Sequence, residues 1–398
     1  MRSQRAFFNR PAERDLSPER TNLPMDTLKD LRHLFPVTQR YVYLNHASTG
    51  PLPTPAVEAM ISFIAQREGR EEAGLESWDE RVAKVRGLVA RLIHATVEEI
   101  AFVGSTSHGL NIVAAGLDWQ AGDNVVCAET EFPANVYPWL NLRRKGVEVR
   151  FAQERQGRIP LEAIAEQMDD RTRMVALSFV EFFTGYRNDL AAVSGLCRQN
   201  GALLCVDGIQ GLGALPLDVN ECGVDFLAAQ APKWLLGPIG IGFLYCRRQR
   251  LPELDLAMGG WRGVVEHEEF FRYDSGWFPN ARRFEVGSLN YLGVTGMGAS
   301  LQLLLDAGIE RIEARILALT DYLLARLKAD GYDIITPHAC RGERSGIISF
   351  VPKEDPETLT ERLKAAGIIV SARGPYIRVS PHFYNTEAEI ERLIEAVR

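Results

Sequence analysis

Hydrophobic residues fall in short runs separated by longer amphipathic stretches between about residues 85 and 250. Several runs are rich in Val, Ile, Leu and Phe without alternating polar positions, which is typical of strands covered on both faces. The stretches between them, such as 135–145 and 189–200, indicate helices. This alternation predicts a mostly parallel seven-stranded sheet between helices. The predicted strands are 100–103, 124–128, 147–152, 174–179, 202–206, 225–229 and 241–246.

The pattern changes after about residue 280. Apolar residues from Ile309 to Leu327 recur at spacings of three and four, which predicts a long helix. Thr386 and Glu389 have the composition of a capping box at the start of a final helix. The remaining predicted elements are strands at 346–351, 368–371 and 376–380 and a helix at 356–366.

These patterns divide the chain into three parts. We predict an α/β large domain over residues 25–280 and a smaller α+β domain over residues 281–398. Residues 1–24 are polar and rich in arginine, and we expect a disordered or partly ordered extension there.

Composition narrows the functional classes. The chain has 398 residues and a net charge of −7, which does not suggest a nucleic-acid partner. No apolar run has the length of a membrane span, and no secretory signal is evident. The six cysteines form neither a CxxC pair nor a metal-ligand spacing. We therefore expect a cytoplasmic protein with reduced cysteines, no bound metal and no membrane partner.

The most informative residue is Lys233, which follows an apolar run and precedes the glycine-rich stretch 237–242. A buried lysine has a lowered pKa and can form a Schiff base with an aldehyde cofactor, whereas a solvated loop lysine has no such role. Asp207 directly follows the predicted strand 202–206, where it can face a ligand or form a turn. Gln210 lies three residues further on and can bind a ligand hydroxyl or remain at the surface.

Three segments together carry a resemblance to a known family. They are Val206-Asp-Gly-Ile-Gln210, Asp225-Phe226 and Lys233-Trp-Leu-Leu-Gly-Pro-Ile-Gly-Ile-Gly-Phe-Leu-Tyr245. The chain resembles the fold-type I pyridoxal phosphate (PLP) enzymes over roughly residues 40–395, in particular the class V aminotransferase and cysteine-desulfurase-like group. The resemblance implies that PLP is the cofactor and that Lys233 forms its Schiff base and carries protons. It also implies that Asp207 pairs with the ring nitrogen and that Gln210 contacts the ring hydroxyl.

The cofactor phosphate has its own matching segment, Gly104-Ser-Thr-Ser-His-Gly-Leu-Asn111. The resemblance assigns the phosphate to Ser107 and the backbone of His108, with Thr106 nearby, although plain helix capping is the alternative. Gln230 occupies a cofactor-binding position often held by serine. Pro232 stands where the family usually has histidine.

Two further segments resemble cofactor contacts of the family. Phe132 in Glu131-Phe-Pro-Ala-Asn-Val-Tyr-Pro-Trp139 matches the aromatic residue that stacks on the ring, where desulfurases carry histidine. Its alternative is an ordinary core phenylalanine. Ser288 in Phe284-Glu-Val-Gly-Ser-Leu-Asn290 matches a residue that offers its hydroxyl to the partner subunit's phosphate. The resemblance thus implies a homodimer with shared active sites.

The substrate-binding residues are expected near both ends of the chain. Arg378 in Ile377-Arg-Val-Ser-Pro-His-Phe-Tyr-Asn-Thr386 matches the arginine that binds a substrate carboxylate, or else forms a structural ion pair. Arg373 is a second anion binder or a solvated charge. The segment Tyr43-Leu-Asn-His-Ala-Ser-Thr-Gly-Pro51 resembles one that reaches the mouth of the site. There Asn45 can bind substrate, and His46 can exchange protons or serve structure.

Two departures from the desulfurase pattern shape the functional expectation. Phe182 matches the usual asparagine, and residues 368–377 contain no cysteine where desulfurases have their sulfur acceptor. We therefore expect an aminotransferase-like enzyme that takes a carboxylate-bearing amino acid or keto acid, and we disfavour a desulfurase that uses a cysteine persulfide. An epimerase of the isopenicillin-N-epimerase-like branch, or a C–S or C–C lyase, is the alternative.

Two rivals come from other classes. A non-catalytic binding protein on the same fold would not need the lysine, the aspartate and the arginine together. A nucleotide oxidoreductase would need a GxGxxG motif that opens a helix, whereas the stretch 237–242 leads into a predicted strand.

Overall fold

The computed structural model describes residues 27–69 and 77–398, so the predicted extension 1–24 lies outside the described residues. The α-helices are α1 (Thr27–Asp30), α2 (Thr54–Arg67), α3 (Trp78–Ile93), α4 (Thr106–Gly116), α5 (Tyr137–Leu140), α6 (Leu161–Ala165), α7 (Leu190–Gln199), α8 (Tyr291–Ala307), α9 (Ile309–Ala329), α10 (Pro356–Ala365) and α11 (Glu387–Val397). The strands are β1 (Val42–Tyr43), β2 (Ile100–Val103), β3 (Asn124–Ala128), β4 (Glu148–Ala152), β5 (Thr172–Ser178), β6 (Leu203–Asp207), β7 (Phe226–Gln230), β8 (Gly242–Cys246), β9 (Ile348–Phe350), β10 (Ile368–Ile369), β11 (Ser371–Arg373) and β12 (Tyr376–Val379).

The predicted seven-stranded sheet is confirmed, with the strand order β2-β8-β7-β6-β5-β3-β4. The pairs from β4 to β7 are parallel, and β8 runs antiparallel to both β7 and β2. The strands are almost entirely buried because helices cover both faces, as their unbroken apolar runs indicate. The carboxyl ends of the parallel strands therefore meet at one edge, where ligands bind in sheets of this kind.

The stretch predicted as one helix over 135–145 is helical over most of its length but is not one continuous α-helix. The structure has only the four-residue helix α5, with a 3₁₀ turn on each side, at 133–135 and 141–145. Pro133 and Pro138 lack the amide hydrogen that a continuous helix needs, so each proline can only begin a new turn.

The C-terminal elements follow the predictions closely. Strands β11, β12 and β9 form an antiparallel sheet, and the predicted strand 368–371 is divided between β10 and β11. Helix α11 begins with the predicted capping box, since Thr386 Oγ1 accepts from the amide of Glu389 at 3.3 Å and Glu389 Oε2 accepts from the amide of Thr386 at 2.8 Å. This region is the predicted smaller α+β part.

The start of the described chain joins this C-terminal region. Strand β1 pairs in parallel with β10, and Val42 lies in the same hydrophobic cluster as β9, β12 and the second half of α9. The first half of α9, through Ile316, belongs to the cluster of the large sheet. The domain limits at residue 280 stay a prediction.

The longest apolar helices lie next to each other. In residues 27–69 and 77–398 no single helix has the length and composition to cross a membrane. Helices α8 and α9 meet the combined requirement of length and composition only when taken as a pair, and the pair is bent by 79°.

Candidate active site

Lys233 lies in the turn between β7 and β8, at the ligand-binding edge of the sheet. Burial lowers the pKa of its amine to about 8, with smaller contributions from the nearby guanidinium groups of Arg378 and Arg373, while Asp207 opposes the shift. In the part of the chain that the structure describes, no carboxylate lies within ion-pair distance of this amine. A lysine in this state is partly neutral near pH 8 and can act as a nucleophile.

The N-terminal segment passes directly over the lysine turn. The amide of Gly50 donates to the carbonyl of Pro232 at 2.7 Å. A Cβ atom at residue 50 would lie 2.4 Å from the carbonyl oxygen of Lys233, so only glycine allows this approach. The segment 43–51 therefore reaches the site, as its resemblance implied.

Asp207 ends strand β6 and is 1% exposed. Its Oδ1 accepts a hydrogen bond from the amide of Ile209 at 2.9 Å. Burial raises the pKa of Asp207 to about 6, against the opposing effects of this hydrogen bond and of Lys233. The carboxylate thus accepts a hydrogen bond within its own turn and interacts electrostatically with Lys233 without forming an ion pair with it. It remains able to pair with a cationic group of a ligand.

Gln210 is buried, so the surface alternative is wrong. Its Oε1 accepts from the indole of Trp234, and its Nε2 donates to the carbonyl of Ala47, both at 2.9 Å. These bonds join the lysine turn to the N-terminal segment. One amide hydrogen on Nε2 remains for a ligand, and contact with a ring hydroxyl stays a prediction.

The predicted phosphate loop forms the start of helix α4. Here Ser105 caps the helix, since its Oγ accepts from the amide of His108 at 3.1 Å. Thr106 is 3% exposed, and its hydroxyl has no hydrogen-bond partner. An unpaired buried hydroxyl at a helix N-terminus suits an anionic ligand. Gln230 reaches this loop, with Nε2 3.5 Å from the carbonyl oxygen of Gly104.

The other predicted cofactor contacts surround these groups or lie on the surface. The Nζ atom of Lys233 is 5.4 Å from the centre of the Phe132 ring, which is 42% exposed. Phe132 is therefore not an ordinary core residue. Ser107 is half-buried in the first turn of α4. Ser288 is exposed, and its contact with a partner subunit stays a prediction.

Arg378 is a buried cation without a counter-ion. It is 1% exposed, its Nη1 donates to the carbonyl of Phe182 at 2.8 Å, and its Nε has no partner. Burial, and then the charge of Arg373, lower its pKa to about 9. In residues 27–69 and 77–398 no carboxylate pairs with either arginine, so the ion-pair alternative is wrong. The arrangement favours an anionic ligand.

Ser48 joins the two arginines and was missed by the sequence predictions. Its Oγ accepts from Nη2 of Arg378 at 2.7 Å and from Nη2 of Arg373 at 2.8 Å. Ser48 lies in the segment 43–51 that was assigned to the mouth of the site. Nothing in its spacing distinguished it from its neighbours, because both arginines are more than 320 residues away in the chain.

His46 is fully buried, and the geometry favours its structural alternative. Its Nδ1 lies 2.8 Å from the carbonyl oxygen of Ser380 and its Nε2 lies 2.6 Å from the hydroxyl of Tyr384. Burial lowers its pKa well below the usual value, so the ring is neutral and both nitrogens have protein partners. We therefore do not retain His46 as a proton carrier. Asn45 is half-buried, with an unpaired Oδ1.

Two buried glutamates beside Asp207 had no place in the sequence predictions. Glu131 accepts from the amide and the hydroxyl of Ser178, which is the register partner of Asp207. Glu181 accepts from the side chain of Asn188 at 2.9 Å. Neither carboxylate has a cationic partner among the described residues. Burial and mutual repulsion raise the pKa of Glu131 well above its usual value, and burial raises that of Glu181 to about 7.

Replacing Glu181 by glutamine should flatten the pH dependence of stability. The folded protein keeps a proton on Glu181 up to a pKa of about 7, whereas the unfolded chain releases it near pH ~4.3. The free energy of unfolding therefore falls as pH rises between these values, by about 3 kcal/mol for this carboxyl. Urea denaturation at pH 5 and pH 8 measures the decline. The control variant Glu361→Gln, which changes an exposed glutamate, should show the same decline as the wild-type protein. An unchanged decline in Glu181→Gln would contradict the raised pKa of Glu181.

Comparisons with known proteins identify the family and fold of this chain. The family described as aminotransferase class V matches residues 42–393. A probable cysteine desulfurase of Methanothermobacter thermautotrophicus is 33% identical, over 93% of this chain and 97% of its own length. A cysteine desulfurase structure from Thermococcus onnurineus has a TM-score of 0.84 at 26% identity, covering 92% of this chain and 96% of that one. The cystine C–S lyase C-DES, solved with its product cysteine persulfide, has the same TM-score and identity, covering 91% and 98%.

These relatives correct the functional expectation. We favoured an aminotransferase-like reaction and disfavoured a cysteine desulfurase. An uncharacterized aminotransferase of Bacillus subtilis is 29% identical, but several other relatives and structural neighbours are named as desulfurases and a C–S lyase. The absence of a cysteine from residues 368–377 bears on where sulfur goes and not on whether a C–S bond breaks. The expectation was therefore wrong because it treated one missing residue as decisive for the reaction.

The site also fits the cofactor of this family. PLP carries an aldehyde, a ring nitrogen and a phosphate, and a variant of the same C–S lyase has glycine covalently linked to its PLP. Lys233 suits the aldehyde, Asp207 suits the protonated nitrogen and the unpaired hydroxyl of Thr106 suits the phosphate. The chain therefore belongs to the class V aminotransferase family of PLP-dependent enzymes.

Proposed function

We propose that this protein cleaves the carbon–sulfur bond of a sulfur-containing amino acid. The observation that carries the proposal is the presence at one site of a partly neutral lysine, Lys233, and a buried arginine without a counter-ion, Arg378. Several of the relatives and structural neighbours are named for C–S cleavage. The guanidinium suits the carboxylate that every such substrate has, and the partly neutral amine can accept the proton of the substrate's α-carbon.

Each residue has a defined task in this proposal. Bound PLP supplies an electron sink for breaking bonds at the substrate's α-carbon. Arg378 holds the substrate carboxylate, and the amine of Lys233 moves the proton of the α-carbon. The carboxylate of Asp207 stabilises positive charge at the ring nitrogen, and the start of α4 with Thr106 holds the phosphate. Phe132 would offer an apolar face to bound PLP.

The route of the sulfur follows from the cysteine-free segment. Residues 368–377 offer no thiol beside Arg378. In the structural neighbour C-DES, the product is cysteine persulfide, so the sulfur leaves on a small molecule. We infer that the sulfur also leaves this site on a small-molecule product or acceptor.

Product analysis tests both parts of the proposal. The PLP-loaded protein is incubated with L-cysteine and with L-cystine, and sulfide, persulfide, alanine and pyruvate are measured. We expect release of sulfur together with one of the two carbon products. The variant Cys340→Ser removes a cysteine that is exposed in the structure and should retain the activity. Absence of sulfur release from both substrates would contradict the proposal, and loss of activity in the variant would contradict the small-molecule route.

A further inference from the structure

Four aromatic side chains form a continuous row at the candidate site. The ring centres of Phe132 and Phe182 are 5.2 Å apart, those of Phe182 and Phe183 are 6.1 Å apart, and those of Phe183 and Tyr376 are 5.1 Å apart. All three contacts are edge-to-face or tilted, as aromatic pairs prefer. The row joins three segments that are distant in the chain: the loop after β3, the loop after β5 and strand β12.

The row runs along the reacting groups. At one end the ring of Phe132 lies over the amine of Lys233. In the middle the backbone carbonyl of Phe182 holds the guanidinium of Arg378. At the other end Tyr376 is the register partner of Arg373 in the antiparallel pair β11–β12. A ligand held by Lys233 and Arg378 is therefore beside this row.

The rings are not part of the hydrophobic core. Phe132 is exposed, and Phe182, Phe183 and Tyr376 are each half-buried. The row forms a contiguous apolar surface next to Lys233, Arg378 and Arg373. Exposing such a surface to water is unfavourable, and covering it with an apolar group of a ligand is favourable. Sulfur in a thioether or disulfide also makes favourable contacts with aromatic rings.

We propose that this aromatic row binds the side chain of an S-substituted cysteine, a thioether or disulfide whose substituent extends beyond the sulfur. The inference rests on the proposed function, and it adds the class of substrate. Arg378 holds the carboxylate common to all amino acids, and the row selects among them by the apolar area of the side chain. Phe182 matters most here, because it replaces the polar asparagine of the desulfurase pattern with an apolar ring.

The test separates binding from cleavage by using amino acids without sulfur. The PLP-loaded protein is titrated calorimetrically with alanine, 2-aminobutyrate, norvaline and norleucine. Each added methylene should increase the affinity about fourfold as it covers apolar surface. Phe183→Ala should remove most of this increase, and Phe182→Leu should reduce it while leaving the carbonyl that holds Arg378. The control Phe271→Ala changes a phenylalanine that is 92% exposed and outside the row, and should keep the full increase.

The outcomes are distinct. Equal affinities along the series, or an increase that survives in both row variants, would overturn the proposal. If the affinity rises along the series but sulfur is released from no sulfur-containing amino acid, the binding role of the aromatic row is supported and the proposed function is wrong. If sulfur is released from cysteine as rapidly as from S-alkyl cysteines while the affinities stay equal, the proposed function stands and the row has no role in selection.

Discussion

Replacing Lys233 by alanine should abolish covalent attachment of PLP and lower turnover by about 1,000-fold or more, since the amine is both the nucleophile and the proton carrier. The structure gives this residue a pKa of about 8 through burial. In the wild-type protein, borohydride reduction followed by peptide mass analysis should locate the cofactor on Lys233. The variant should take up no reducible cofactor.

A second lysine provides the control for this experiment. Lys364 is exposed on helix α10, and Lys364→Ala should keep both the attached cofactor and the activity. Cofactor fixed to another lysine in the wild-type protein, or full turnover by Lys233→Ala, would show that the lysine is misassigned.

Replacing Arg378 by alanine should weaken binding of carboxylate substrates about 100-fold, equivalent to about 3 kcal/mol. The guanidinium is buried, lacks a counter-ion and keeps Nε unpaired, so a substrate carboxylate is its missing partner. The measurement is KM against kcat, and KM should carry most of the change. Arg378→Lys should recover only part of the affinity, because an ammonium group cannot form the paired hydrogen bonds of a guanidinium.

Two comparisons make this test specific. Arg398→Ala removes a surface arginine that pairs with Asp330 at 2.8 Å, and its KM should stay unchanged. If Arg378→Ala also leaves KM unchanged while Arg373→Ala raises it, the carboxylate is held by the second arginine that shares Ser48.

The sequence predicts the sheet because its strands depend on local patterns, and the family resemblance is what points to Lys233 and Asp207 as reacting residues. The unbroken apolar runs locate all seven strands to within about two residues, and Lys233 and Asp207 lie where such runs end. Pro133 before α5 and Pro138 within it argue against one long helix. The prediction followed the apolar pattern and did not take these prolines into account.

The remaining features depend on contacts that no local pattern records. Ser48 meets its arginines across more than 320 residues, and both nitrogens of His46 are occupied by partners from the far end of the chain. The raised pKa values of Glu131 and Glu181 likewise follow from the burial of both carboxyls, which the sequence does not reveal. The sequence identifies residues whose chemistry allows them to react. The packing of the folded chain determines which of these residues already have hydrogen-bond partners within the protein.

The bond between Ser48 and Arg378 closes a loop of 330 residues. During synthesis, Ser48 leaves the ribosome long before Arg378 is added to the chain. The contact between Ser48 and Arg378 can therefore form only after all seven strands of the large sheet have been synthesised. Since contacts of such separation slow folding and cost closure entropy, a nascent chain can hold the cofactor's lysine and aspartate in place before it can recognise a substrate.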